Sequence, residues 1–235
     1  GCRFDLPGWR KLRDELHPQG LEVVTVALDT GGVDAAGPWI DRAKPTHPSL
    51  IDQGHLLDEL LGVVNVPMGV WIDEHGTLVR PPEPAFPWRP RTLSEELLAQ
   101  LPAVSAEQLR EAQKMKIEPE AYVAALRDWV QRGSESRFAL APEEVIARSQ
   151  PRDADHSRAA AAFELGQHLH RAGHADDAAR WFREAHRLQP ENWTYKRQAW
   201  SLADPLQDRT DLYDSDWLTD VRKIGPENYY PPVEL

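Results

Sequence analysis

Cys2-Arg3-Phe4-Asp5-Leu6-Pro7 opens a run to Leu16, and Leu21-Glu22-Val23-Val24-Thr25-Val26-Ala27-Leu28-Asp29 follows it; on these two stretches the reading of the fold turns. Leu6, Trp9, Leu12 and Leu16 recur at helical spacing, and Pro18 with Gly20 closes the helix. The second run is rich in β-branched residues, nearly continuous in apolar character and bounded by Gly31-Gly32, as expected of a strand buried on both faces. A helix feeding such a strand points to an alternating α/β domain.

Further along, a second helix is expected near Ala35 to Lys44, an irregular segment from Pro45 to Gln53, and a short third helix on Leu56, Leu57, Leu60 and Leu61 that ends at Gly62. Val63 to Asp73 passes through Glu74-His75-Gly76 into Thr77-Leu78-Val79-Arg80, two apolar runs joined by a Gly-containing turn, which is a hairpin pattern. Five prolines between Pro81 and Pro90 exclude a helix or a central strand, so this stretch reads as a linker or extended strap.

Cys2-Arg3-Phe4-Asp5-Leu6-Pro7, followed by a helix and a buried strand, resembles the second half of the redox motif of thioredoxin-like disulfide reductases of the cytochrome-maturation type. There a Trp-Cys-x-x-Cys sequence runs on into a basic residue, an acidic residue and a proline. Val66-Pro67 before a strand resembles that family's cis-proline loop, and Ile72-Asp73-x-x-Gly76 resembles its hairpin. The order of these motifs matches over residues 1–80. The resemblance implies a thioredoxin-like fold in which Pro67, predicted cis, lies against the active-site sulfur and Val66 offers backbone hydrogen bonds to an extended substrate. Cys2 at a helix mouth, beside Arg3, is the expected catalytic pair, because helix N–H groups and a neighbouring cation favour thiolate.

The same resemblance implies a central strand just before the redox motif, and residues 1–80 offer no candidate for it. Unpaired strand edges on both neighbours would each leave buried polar groups costing about 1–3 kcal/mol apiece, so the expectation is an incomplete domain whose natural chain extends upstream. One cysteine cannot complete a dithiol cycle. The attacking group is therefore expected before Gly1, with Cys2 resolving. Some redoxin relatives carry selenocysteine followed by Gly-Cys, as Gly1-Cys2 would continue, so selenocysteine is the first expectation for that residue and cysteine the second.

Beyond residue 90 the chain reads as helical to about residue 203, with capping-box patterns at Thr92-x-x-Glu95 and Ser105-x-x-Gln108 and helix starts at Pro119 and Pro142. The helix from Pro119 to Arg132 would bury Tyr122, Val123, Leu126, Trp129 and Val130 and stop at Gly133. Leu165-Gly166, Leu169, Gly173, Ala178, Phe182, Ala185 and Pro190 resemble one tetratricopeptide repeat, with Ala162 where the usual Trp stands. This implies either a peptide-binding groove, hence a protein partner, or a hairpin serving as lid or spacer; the spacer reading is preferred. The expected divisions are 1–90 for the redox domain, 91–150 for connecting helices, 151–203 for the tetratricopeptide-like hairpin and 204–235 for an acidic, Pro-rich tail. That tail either docks through Trp217, Tyr229 and Tyr230 or stays disordered.

The 235 residues carry a net charge of -11, which excludes the basic footprint of a nucleic-acid binder. No apolar run reaches the roughly 18–20 residues that span a bilayer. Cys2, the sole cysteine, leaves no thiolate zinc site, and His168, His170 and His174 read as solvated. No metal or cofactor is expected, since thiols carry the electrons, and the partners are protein or small-molecule thiols and disulfides. A soluble chain is expected, cytoplasmic unless an export signal precedes Gly1. The preferred activity is thiol-disulfide or selenol-disulfide exchange. The alternatives are a peroxiredoxin-type peroxidase and a redox-inactive binding scaffold.

Overall fold

The computed structural model describes residues 2–88, 105–149, 151–204 and 210–235, without the side chain of Arg3. A 3-10 turn, Cys2–Phe4, leads into α1 (Leu6–Leu16), β1 (Thr25–Leu28), α2 (Gly32–Ala43), β2 (Ser49–Asp52), α3 (Leu56–Leu61), β3 (Met68–Ile72) and β4 (Leu78–Pro84). Then come α4 (Ala106–Lys114), α5 (Pro119–Arg132), α6 (Pro142–Arg148), α7 (Ala154–Arg171), α8 (Ala175–Leu188), α9 (Trp193–Ala203), α10 (Thr210–Tyr213) and α11 (Trp217–Ile224). The described residues form two compact units, one mixed α/β from 1–89, 118–151 and 232–235, the other helical from 90–117 and 152–231. These units cut across the four expected divisions, because α5 and α6 belong with the first unit and most of the tail with the second.

In the α/β unit, α1 turns Leu12 and Leu16 inward. At its end the Arg13 guanidinium grips both oxygens of Glu22 at 3.0 Å, and this hydrogen bonding draws the Glu22 carboxyl down to about 2. β1 pairs in parallel with β2, from Thr25 opposite Ser49 to Leu28 opposite Asp52. Two expectations are corrected here. β1 is shorter than Leu21 to Asp29 and only half-buried, with Val24 beside it 52% exposed. β2 lies in the segment read as irregular; four residues right after Pro48 are too few to display an alternating pattern.

The hairpin β3–β4 is antiparallel and runs on through Pro84, where a strap was expected. The prolines are accommodated by a register break: Trp71 opposes Arg80 and Gly69 opposes Glu83, so Pro81 and Pro82 fall in the bulge and need no ladder N–H. Gly69 is required there, since a Cβ would stand 2.7 Å from the Tyr122 hydroxyl. Trp71 anchors this core. Its Nε1–H donates to the Tyr122 hydroxyl at 2.9 Å, and its ring stacks on Trp129 at 4.9 Å. The Arg80 guanidinium, 5.4 Å over the Trp71 ring, forks onto Glu83 at 2.6 and 2.7 Å and donates to the carbonyls of Phe138 and Glu234. With 1% exposure, that cation is wholly supported from within.

The helical unit is built on α7 and α8. Ala178 and Ala185 are buried small residues, and Gly166 lets the Phe182 ring approach where a Cβ would meet it at 2.7 Å. Phe163 stacks on Tyr195 of α9 at 4.2 Å. Asp153 and Asn192 cap α7 and α9 through the His156 and Tyr195 N–H groups. The capping box at Ser105 and Gln108 forms, whereas Thr92-x-x-Glu95 lies outside the described residues. Of the two expectations for the tail, docking holds for its described part: Tyr229 is buried 4.6 Å from the Trp193 ring, with Trp217 Nε1–H on its hydroxyl at 3.4 Å. No described helix is long and apolar enough to cross a membrane.

Candidate functional site

Cys2 is half-buried in the 3-10 turn that opens the chain's first helix. Its carbonyl accepts the Asp5 N–H at 2.9 Å, and the Asp5 carbonyl accepts the Trp9 N–H at 3.0 Å, so turn and helix run on without a break. Asp5 keeps helical angles and makes no side-chain cap, and Pro7 follows in the first turn. Cys2 thus sits at the mouth of the helix, one 3-10 turn ahead of α1. Because the helix dipole acts over a single turn, its pull on this sulfur is weaker than for a cysteine at N1. The Arg3 side chain, the second expected catalytic group, lies outside the described residues.

Val66 and Pro67 stand directly before β3, and the peptide bond between them is cis. The Pro67 carbonyl accepts the Ala85 N–H at 3.3 Å, which fixes the loop to the end of β4. The Val66 N–H donates to Asn65 Oδ1 at 2.8 Å, so the donor expected to greet a substrate is already engaged. Asn65 itself is 1% exposed. It was missed in the sequence, where only an amide side chain just before Val-Pro could have signalled it.

A buried polar group occupies the same stretch of chain. His55 Nδ1 lies 3.3 Å from Asp58 Oδ2, both side chains buried, and His55 starts α3 from a left-handed backbone with φ of 58°. His47, beside Thr25 of β1, has its imidazole pushed down by burial. Among the described residues no cluster of three or more His, Cys, Asp or Glu is placed to hold a metal ion.

Among the described residues, β1 pairs with β2 alone and β3 with β4 alone, giving two separate two-stranded sheets. No described strand lies between β1 and β3.

The chain is 28% identical over 79 residues to the thiol-disulfide oxidoreductase ResA of Halalkalibacterium halodurans, covering 34% of this chain and 44% of that protein. The chain therefore spans less than half the length of this curated relative. No family model and no solved structure matches it.

Proposed function

We propose that the α/β unit is a thioredoxin-like redox domain that performs thiol-disulfide or selenol-disulfide exchange, with Cys2 as the resolving thiol and the attacking group directly before Gly1. An upstream thiolate or selenolate attacks one sulfur of a substrate disulfide, forms a mixed disulfide or selenenyl sulfide, and expels the other sulfur as thiolate. Cys2 then attacks that bond, joins the upstream atom and releases the second substrate thiolate. Two electrons have passed to the substrate, and an external dithiol restores the pair.

The observation that carries this reading is a half-buried cysteine in the turn opening α1, in a chain with a 79-residue similarity to a thiol-disulfide oxidoreductase. Arg3, next to Cys2 in the sequence, is the second residue of the proposed catalytic pair. Val66-Pro67 is the platform for an extended substrate, with Asn65 giving up the Val66 N–H to a substrate carbonyl. A strand upstream of Gly1, pairing with β1 and β3, completes the sheet. The α7–α8 hairpin is read as one tetratricopeptide-like unit acting as a spacer.

The chain extended by one cysteine, or by a selenocysteine, before Gly1 and behind its natural upstream segment is expected to reduce insulin disulfides catalytically with dithiothreitol. Cys2→Ser in that protein is expected to trap the substrate as a mixed disulfide visible by mass spectrometry. A natural upstream codon for any residue other than cysteine or selenocysteine, together with no turnover, overturns the proposal.

A further inference from the structure

Residues 232–235, Pro-Val-Glu-Leu, belong to the α/β unit, although they follow the whole helical unit in the chain. They form neither helix nor strand, and their burial alternates: Val233 and Leu235 are half-buried, and Glu234 between them is exposed. That is the alternation of an extended segment laid along a surface. Leu235 packs against the apolar cluster that contains Trp71, Tyr122 and Phe138. The Glu234 carbonyl accepts from the buried Arg80 of β4 at 2.9 Å, and the Glu234 carboxylate lies 3.3 Å from the Arg148 guanidinium at the end of α6.

Each contact reads a different property of the segment. Arg80 reads a backbone carbonyl, Arg148 an acidic side chain, and the apolar cluster the residue that follows it. Extended peptides are recognised in this way, main-chain hydrogen bonds giving affinity and alternate side chains giving specificity. The segment is also lightly held. Its carboxylate is 74% exposed, so the ion pair with Arg148 contributes little, and both apolar side chains are buried only in part. Arg80 does not depend on it either. Both oxygens of Glu83 and the Phe138 carbonyl stay on the guanidinium when the segment lifts, and water then reaches the N–H that Glu234 had taken.

We propose that this seat is a recognition site for an extended peptide segment of a partner protein, with an acidic residue between two apolar ones, and that residues 232–235 occupy it as a competitor from within the chain. The partner's acidic side chain pairs with Arg148, the carbonyl of the same residue accepts from Arg80, and the next apolar residue enters the cluster around Trp71. A segment tethered close to its seat acts at an effective concentration on the order of millimolar. The seat therefore opens to a partner that is abundant or that holds the chain by a second contact. The proposal goes beyond the redox reading and does not rest on it.

The test uses the full 235-residue chain, unaltered, with Val233→Ser and Leu235→Ser together, and with Glu234→Lys alone, each checked for folding by circular dichroism. The probe is the peptide Pro-Pro-Val-Glu-Leu, labelled with fluorescein at its start and amide-capped at its end, read by fluorescence anisotropy. The doubly substituted chain, whose own segment has lost its apolar anchors, is expected to bind the probe saturably and about tenfold or more tighter than the unaltered chain. Glu234→Lys changes only an exposed side chain and sets a like charge beside Arg148, so it leaves folding intact and is expected to tighten probe binding about threefold. A probe with serine in place of valine and leucine is expected not to bind. No saturable binding by either altered chain, equal affinity of the altered and unaltered chains, or affinity unmoved by the serine probe overturns the proposal.

Discussion

Trp71 and Trp200 are the central indoles of the two units, buried to 3% and 1% exposure. In the α/β unit the Trp71 N–H meets the Tyr122 hydroxyl, and the Arg80 cation beside the ring has a carboxylate and two carbonyls around it. In the helical unit the Trp200 N–H meets no acceptor among the described residues. The contrast separates two surroundings of the same residue: an indole whose N–H is satisfied by a neighbouring hydroxyl, and one held by packing with its N–H unpaired among the described residues. The sheets run the other way. The helical unit buries its aromatic and alanine core continuously, while the α/β unit carries half-buried strands and exposed Val24, Leu50 and Ile72.

The harshest way to break the comparison is Arg80→Ala, which strands the Glu83 carboxylate in the core. It is expected to cost about 3–5 kcal/mol, and hydrogen exchange should show the loss in the α/β unit with the helical unit still protected. Acid acts on the opposite side. His186 has its pKa lowered to about 3 by burial, with Lys196 lowering and Asp220 raising it, so the unfolded chain binds a proton that the folded unit refuses. Stability from this group is complete above about pH 6.5 and falls by about 1.4 kcal/mol per pH unit as the pH drops from there toward 3. His186→Gln should flatten that slope in urea melts of the helical unit.

A finer comparison sets Trp71→Phe against Trp200→Phe. Both remove the same atoms, but only the first breaks a hydrogen bond and leaves the buried Tyr122 hydroxyl short of a partner. Its excess cost is expected at about 1–2 kcal/mol in denaturant titrations; equal losses would erase the distinction between the satisfied and the unpaired indole. Smallest is Ser105→Ala, which removes the capping box of α4 for about 1 kcal/mol, read as a lower midpoint of the helical unit alone.

Local signals carried much of this into the sequence. Leu6, Trp9, Leu12 and Leu16 gave the helix its span, Ser105 and Gln108 marked a start, and Gly166 with Ala178 announced a close helix crossing. β2 escaped because Pro48 and a four-residue length hide any period, and β4 because its prolines lie in a bulge that no local pattern discloses. Cys2 was legible at the mouth of the helix, but the 3-10 turn that holds it was not. The unpaired Trp200 N–H was invisible, since it depends on which hydrogen bonds distant elements fail to make.

Arg80 also sets a timetable. Its third acceptor group, the Glu234 carbonyl, is added to the chain 154 residues after it, and α5 and α6 come between. A ribosome that has finished the hairpin has made Arg80 and its Glu83 partner but neither of the two carbonyls that complete its surroundings. During synthesis the α/β unit therefore gains its full set of Arg80 hydrogen bonds only after the helical unit has been translated.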